Sequence, residues 1–237
     1  MNAALVTGVS RRAGIGFAIA RRLEEAGTSI FTHGWTPHDA NQPWGADETF
    51  TPSIEADFAD ADAPARVVSA ARESLGPLDV LVVNHARSGL GRLDELTAEH
   101  LDAFLHENVR AALLLVKEFA AQFDGSEGRV VLITSGAHLA PMSREVGYAV
   151  SKGALAIATA TLAEELAASG VTVNCVNPGP TDTGWGLAEL DPTLRMPFGR
   201  WGEPDDAARL VAWLCSEDAR WITGQVVDSE GGFRRLA

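Results

Sequence analysis

Short apolar runs alternate with amphipathic stretches along the whole chain. Residues 3–7, AALVT, form a strand-length apolar run that leads into glycines. Residues 14–26 then place Ile15, Ile19 and Leu23 on one helical face and stop at Gly27. The same reading predicts strands at 29–32, 52–56, 79–83, 129–134, 171–176 and 225–228. It predicts helices at 64–75, 97–123, 147–169 and 204–215. The segment 33–49, with Pro37, Pro43 and Gly45, reads as a long polar loop. DVLVV at 79–83 is apolar almost throughout, as a strand covered on both faces is. Alternation of strand and helix implies parallel strands joined by crossover helices. The expected fold is therefore α/β, a doubly wound parallel sheet of about seven strands with helices on both faces. No repeat, low-complexity tract or linker interrupts the pattern, so residues 1–237 are expected to form one domain.

Composition adds exclusions. Apolar residues make up 46% and charged residues 22% of 237, which excludes a largely disordered chain, a collagen or a coiled coil. Nineteen basic against 32 acidic residues give a net charge of −13. That balance argues against a nucleic-acid or anionic-membrane partner, yet leaves room for a small anion held by local arginines. Cys175 and Cys215 form no CxxC pair and read as core residues of a reduced, cytoplasmic protein. No apolar run approaches the ~20 residues of a membrane span. The first strand begins at Ala3, which leaves no expected signal peptide.

The chemistry concentrates in two places. The segment 7–16, TGVSRRAGIG, lies between the first strand and the first helix. A pyrophosphate site needs such a tight turn, a close backbone approach and a helix N-terminus. The second place holds the chain's one tyrosine, Tyr148, four residues before Lys152. At that spacing both side chains share a helix face. An ammonium near a phenol favours its ionised form, so the tyrosine can exchange a proton with a carbinol or carbonyl oxygen. Ser135 ends the strand RVVLIT, where ligands of open parallel sheets bind, and its hydroxyl can bond an oxygen that gains charge.

These residues resemble the short-chain dehydrogenase/reductase family, with its TGxxxGxG turn and Ser-Tyr-Lys centre. The resemblance implies a Rossmann fold and a nicotinamide cofactor. This chain has five residues between Gly8 and Gly14, where the family pattern has three. Enoyl-thioester reductases of the superfamily also have a longer turn, but separate tyrosine from lysine by six residues, a spacing not found here. The resemblance carries a fourth catalytic residue onto Asn108, which would hold a water linking Lys152 to solvent. It implies cofactor contacts at Gly8, Ser10, Gly14, Ile15, Gly16, Tyr148 and Lys152. It adds Asp57 and Phe58 at the adenine, and Asn84 and Ala86 in the NHAR segment, where the family has NNAG. The segment 177–183, NPGPTDT, is similar to the family's nicotinamide-binding PGxxxT, with Pro178, Gly179, Thr181 and Thr183.

NAD-specific members carry an acidic residue at the end of the second strand. This chain has His33-Gly34-Trp35 there, with no carboxylate before Asp39, and Arg11 and Arg12 in the glycine turn. A guanidinium can hold a 2′-phosphate, so NADP(H) is favoured over NAD(H). No metal site is expected. His33 and His38 read as solvated loop residues, and His100 and His106 as residues of a polar helix face. The loop 184–200, with Trp185, Leu187, Leu190, Met196 and Phe198, is the expected substrate lid. The expected activity is NADPH-dependent reduction of a ketone or 3-oxoacyl carbonyl. The alternatives are an NAD-dependent secondary-alcohol or sugar dehydrogenase and a non-catalytic dinucleotide sensor. The alanine-rich helix 147–169 and the run AALLLV at 111–116 have more apolar surface than one sheet contact needs. They predict a homodimer or homotetramer.

Overall fold

A computed structural model describes residues 2–184, 187 and 191–235. Seven strands form one parallel sheet: β1 (Ala3–Thr7), β2 (Ser29–Gly34), β3 (Ile54–Glu55), β4 (Val80–Val83), β5 (Gly128–Ile133), β6 (Val171–Asn177) and β7 (Val226–Asp228). Their order is β3-β2-β1-β4-β5-β6-β7, so the chain reverses its direction of winding between β1 and β4. That reversal opens a crevice at the carboxyl ends of these strands.

Successive strand residues face opposite sides of the sheet. Ala4, Val6, Val80, Val82, Val131 and Ile133 pack with helices α1 (Ile15–Glu25) and α7 (Pro204–Leu214) on one face. Leu5, Leu81, Val83, Val130 and Leu132 pack with α3 (Ala63–Leu75), α5 (Ala111–Gln122) and α6 (Val146–Ala167) on the other. Both thiols, Cys175 and Cys215, are buried in these cores.

Several elements differ from the sequence reading. The expected loop 33–49 contains the last two residues of β2 and a short helix, α2 (Thr36–Ala40). His33 is thus not a solvated residue: it pairs in register with Ile54 of β3 and is 2% exposed. Only two residues of the expected third strand pair with β2. The expected helix 97–123 is three segments: α4 (Ala98–Phe104), a π-helical stretch from Leu105 to Arg110, and α5. Helix α6 is 22 residues long and, by length and composition alone, apolar enough to cross a membrane. The sequence reading recognised no run of that length, because Tyr148, Lys152 and several hydroxyl residues interrupt it. Tyr148 lines the cleft, Ser151, Lys152 and Thr159 are buried, Thr161 is exposed, and α6 packs along β6.

Candidate active site

The crevice holds two cavities, of about 260 and 400 Å³, that share Ile15, Ser88 and Thr183 as walls. They form one continuous cleft along the strand ends.

The first cavity is built on the glycine turn. Gly8 has φ +71°, and a side-chain carbon there would lie 2.6 Å from the Cα of His85. Asn84 ties β1 to β4: its amide donates to the carbonyls of Thr7 (3.1 Å) and Gly8 (3.0 Å). Ser10 accepts from the Trp35 N–H (3.0 Å). No side chain caps the start of α1, and Gly14 and Ile15 line the cavity, so the first N–H groups of this helix can receive a phosphate. Asp57, Phe58, Asn84 and Ala86 line the same space. Phe58 stacks on His33 at 4.1 Å and meets His85 at 4.3 Å. Both histidines are satisfied by the fold. His33 bonds the Ala56 carbonyl (2.9 Å), and His85 bonds Thr7 Oγ1 and the Glu107 carbonyl, each at 2.9 Å. Burial pulls His33 down to about 4 and His85 well below the usual imidazole range, so both rings are neutral at pH 7.

The two arginines of the turn take separate paths. Arg11 lines the cavity, donates to the Thr183 carbonyl (2.5 Å), approaches Asp39 (3.4 Å) and lies over the Trp44 ring. Arg12 points away and forms a two-pronged pair with Asp47, at 2.9 Å on each prong, with its side chain 55% exposed. It is not among the cavity walls. Helix α2 also brings into the cavity Asp39, the first carboxylate after β2 in the sequence. Gly16 lies beneath the turn, with no room for a side chain: a Cβ would meet the Gly8 carbonyl oxygen at 2.5 Å.

The second cavity joins Ser135 and Tyr148 with Pro178, Gly179, Thr181 and Thr183. Lys152 lies one turn along α6 from Tyr148, 1% exposed, its ammonium donating to the Ile133 carbonyl (2.8 Å). Burial pulls this lysine down to about 8. Burial, and then the nearby Glu145, raise the Tyr148 phenol above its ordinary range. The phenol therefore stands protonated, ready to donate. Asn108 sits in the π-helical stretch, a distortion frequent at functional sites. Its side chain is committed: the oxygen accepts from the Arg87 N–H (2.7 Å), and the amide donates to the Arg87 carbonyl and to Ser151 Oγ, both 2.9 Å. Ser151 in turn donates to the Tyr148 carbonyl (2.8 Å). Asn108 thus anchors the turn of α6 that presents Tyr148, a positioning task that the expected water relay did not include.

Sequence reading missed the cavity walls Met142, Glu145, Glu230, Phe233 and Arg235. Each comes from an irregular segment or the carboxyl-terminal stretch, where no periodicity marks a site. In the expected lid, Leu187 lines the cavity, whereas Trp185 and Leu190 lie outside the described residues.

The parallel sheet, the glycine turn at its switch point and the Ser-Tyr-Lys cluster define a dinucleotide-binding oxidoreductase. The family model described as enoyl-(acyl carrier protein) reductase matches residues 8–234. The chain is 40% identical to the "uncharacterized oxidoreductase YjdA" of Bacillus subtilis (strain 168), over 98% of this chain and 96% of that protein. It is 32% identical to an acetoacetyl-CoA reductase of Shinella zoogloeoides, over 97% of each chain. It superposes with TM-score 0.86 and 34% identity on a blue fluorescent protein from a metagenomic library in complex with NADPH, over 98% of this chain and 97% of that one. The chain belongs to the short-chain dehydrogenase/reductase family. It is an NAD(P)-dependent oxidoreductase acting between CH–OH and C=O groups.

Proposed function

We propose that this protein reduces a ketone or 3-oxoacyl carbonyl to a secondary alcohol with NADPH. The observation that carries this reading is the meeting of Ser135 and Tyr148 in one cavity, with buried Lys152 one helical turn from Tyr148. When bound, the nicotinamide supplies a hydride to the carbonyl carbon. Ser135 donates a hydrogen bond to the carbonyl oxygen and so stabilises the charge that develops there. Tyr148 delivers its phenolic proton to that oxygen, which completes the alcohol. The Lys152 ammonium then stabilises the phenolate until it regains a proton. Asn108, through Ser151, holds Tyr148 in place for the transfer.

The first N–H groups of α1 would hold phosphate, and Asp57 and Phe58 would line the adenosine half in the first cavity. Pro178, Gly179, Thr181 and Thr183 would hold the nicotinamide end. Arg11 supports the 2′-phosphate, and the NADPH-bound relative points the same way. Asp39 in the same cavity favours a second reading, NAD-dependent oxidation of a secondary alcohol. A panel of carbonyl compounds assayed with NADPH and with NADH separates the two. Tyr148→Phe keeps the ring and removes the proton donor; kcat should fall at least ~10²-fold with cofactor binding retained. Wild-type turnover in that variant would end the proposal.

A further inference from the structure

Among the described residues, three charged side chains line the catalytic cavity: Glu145, Glu230 and Arg235. Two of them neutralise each other. Glu230 pairs with Arg235 and also accepts from the Asn177 amide (2.7 Å). Glu145 is different. It stands at the N-cap of α6, yet its side chain makes no capping bond. Among the described residues no cation or hydrogen-bond donor holds its carboxylate, and burial alone, with no charge to offset it, raises its proton affinity. The backbone fixes it in this position. Arg144 is in the left-handed region (φ 71°), and residues 144–146 pair with Gly91, whose N–H donates to the Arg144 carbonyl (2.6 Å). A strained backbone that presents an unpartnered, half-buried carboxylate is costly unless a ligand uses it. Glu145 lies three residues before Tyr148, hence on the same face of the first helical turn.

We propose that Glu145 is a substrate-recognition residue. It selects carbonyl compounds that carry a hydrogen-bond donor, best an ammonium group, near the reacting carbonyl, and it disfavours carboxylates. The remaining walls agree: Ile15, Met142, Leu187 and Phe233 contact a short apolar body, and the Glu230–Arg235 pair leaves no net positive charge for an acid.

This inference rests on the reductase reading above, and its test separates the two. Amino ketones with one to three methylenes between ammonium and carbonyl are each compared with the alkyl ketone of the same shape. In the wild type, kcat/KM should favour the best amino ketone by at least about ten-fold, the low end for a charge-assisted bond. Glu145→Gln should abolish that preference, and Glu145→Asp should restore part of it. Any effect of the substitution on Tyr148 falls on both substrates and cancels in the ratio. As a second measurement, an alkylammonium ion should inhibit wild-type turnover of a neutral ketone more strongly than the matching alcohol does. An unchanged ratio in Glu145→Gln, or equal inhibition by the two compounds, overturns the role of Glu145. Failure of the wild type to reduce any neutral ketone overturns the reductase reading itself.

Discussion

Arg11 and Arg12 are neighbours in sequence and carry the same charge, yet the fold gives them different surroundings. Arg12 is spent on Asp47 at the surface, where an ion pair contributes little to stability. Arg11 stays in the first cavity, shared among Thr183, Asp39 and the Trp44 face. Arg11→Ala should therefore weaken NADPH binding relative to NADH by on the order of ten-fold or more, the effect of losing a charge-assisted contact to phosphate. The loss also leaves Asp39 without its counter-charge, held by the Trp44 indole N–H (2.7 Å), where it would repel a 2′-phosphate. Arg12→Ala should move that ratio by less than about two-fold, as expected of a solvated pair. Titration of both variants with the two cofactors measures this, and equal effects would sink the assignment. Tyr148, Lys152 and Ser135 were legible in the sequence because local rules position them: an i, i+4 helix spacing and a strand end. The carboxylate of Asp39 was not, because only the path of α2 carries it back to the cleft.

At the level of elements, the start of α1 depends on the absence of side chains beneath the turn. A Cβ on Gly16 would press on the Gly8 carbonyl oxygen at 2.5 Å and on the Asn84 amide at 2.6 Å. The Asn84 amide already bonds Thr7 and Gly8, so it has little freedom to yield. Gly16→Ala should cost roughly 1–3 kcal/mol through overpacking. For a chain of this size that corresponds to a drop in Tm of about 2–12 °C. Dinucleotide binding should weaken with it, because the helix N-terminus must move. Thermal unfolding with and without cofactor checks both; an unchanged Tm would mean that the turn is looser than its contacts imply. The break of the long helix into α4, a π-helical stretch and α5 has no counterpart in the periodicity of 97–123. It shows in tertiary contacts alone, where Asn108 exchanges two hydrogen bonds with the backbone of Arg87.

For the whole molecule, helix α6 leaves apolar surface uncovered. Ile157 is 82% exposed and Val150 54%, while Leu113 on α5 is 38% exposed. Such side chains on the helix that carries Tyr148 and Lys152 suit a closed two-fold contact, which would hide them and stiffen the catalytic turn. We expect a homodimer or homotetramer at micromolar concentration. Light scattering should give a multiple of 25.1 kDa, and an active species of that single mass would refute the expectation.

What the sequence determined by itself were features that local chemistry dictates. The alternation of strand and helix, the glycine turn after β1 and the spacing from Tyr148 to Lys152 each follow from the period of the backbone. Tertiary structure alone decided which groups share a cavity. His33 became a buried, neutral wall because β3 pairs beside it and Phe58 stacks on it. Glu145, Glu230 and Arg235 are up to 90 residues apart in sequence yet line one cavity with Ser135 and Tyr148. No pattern along the chain encodes that meeting, since it depends on where the sheet's winding reverses and how the irregular segments return to the strand ends.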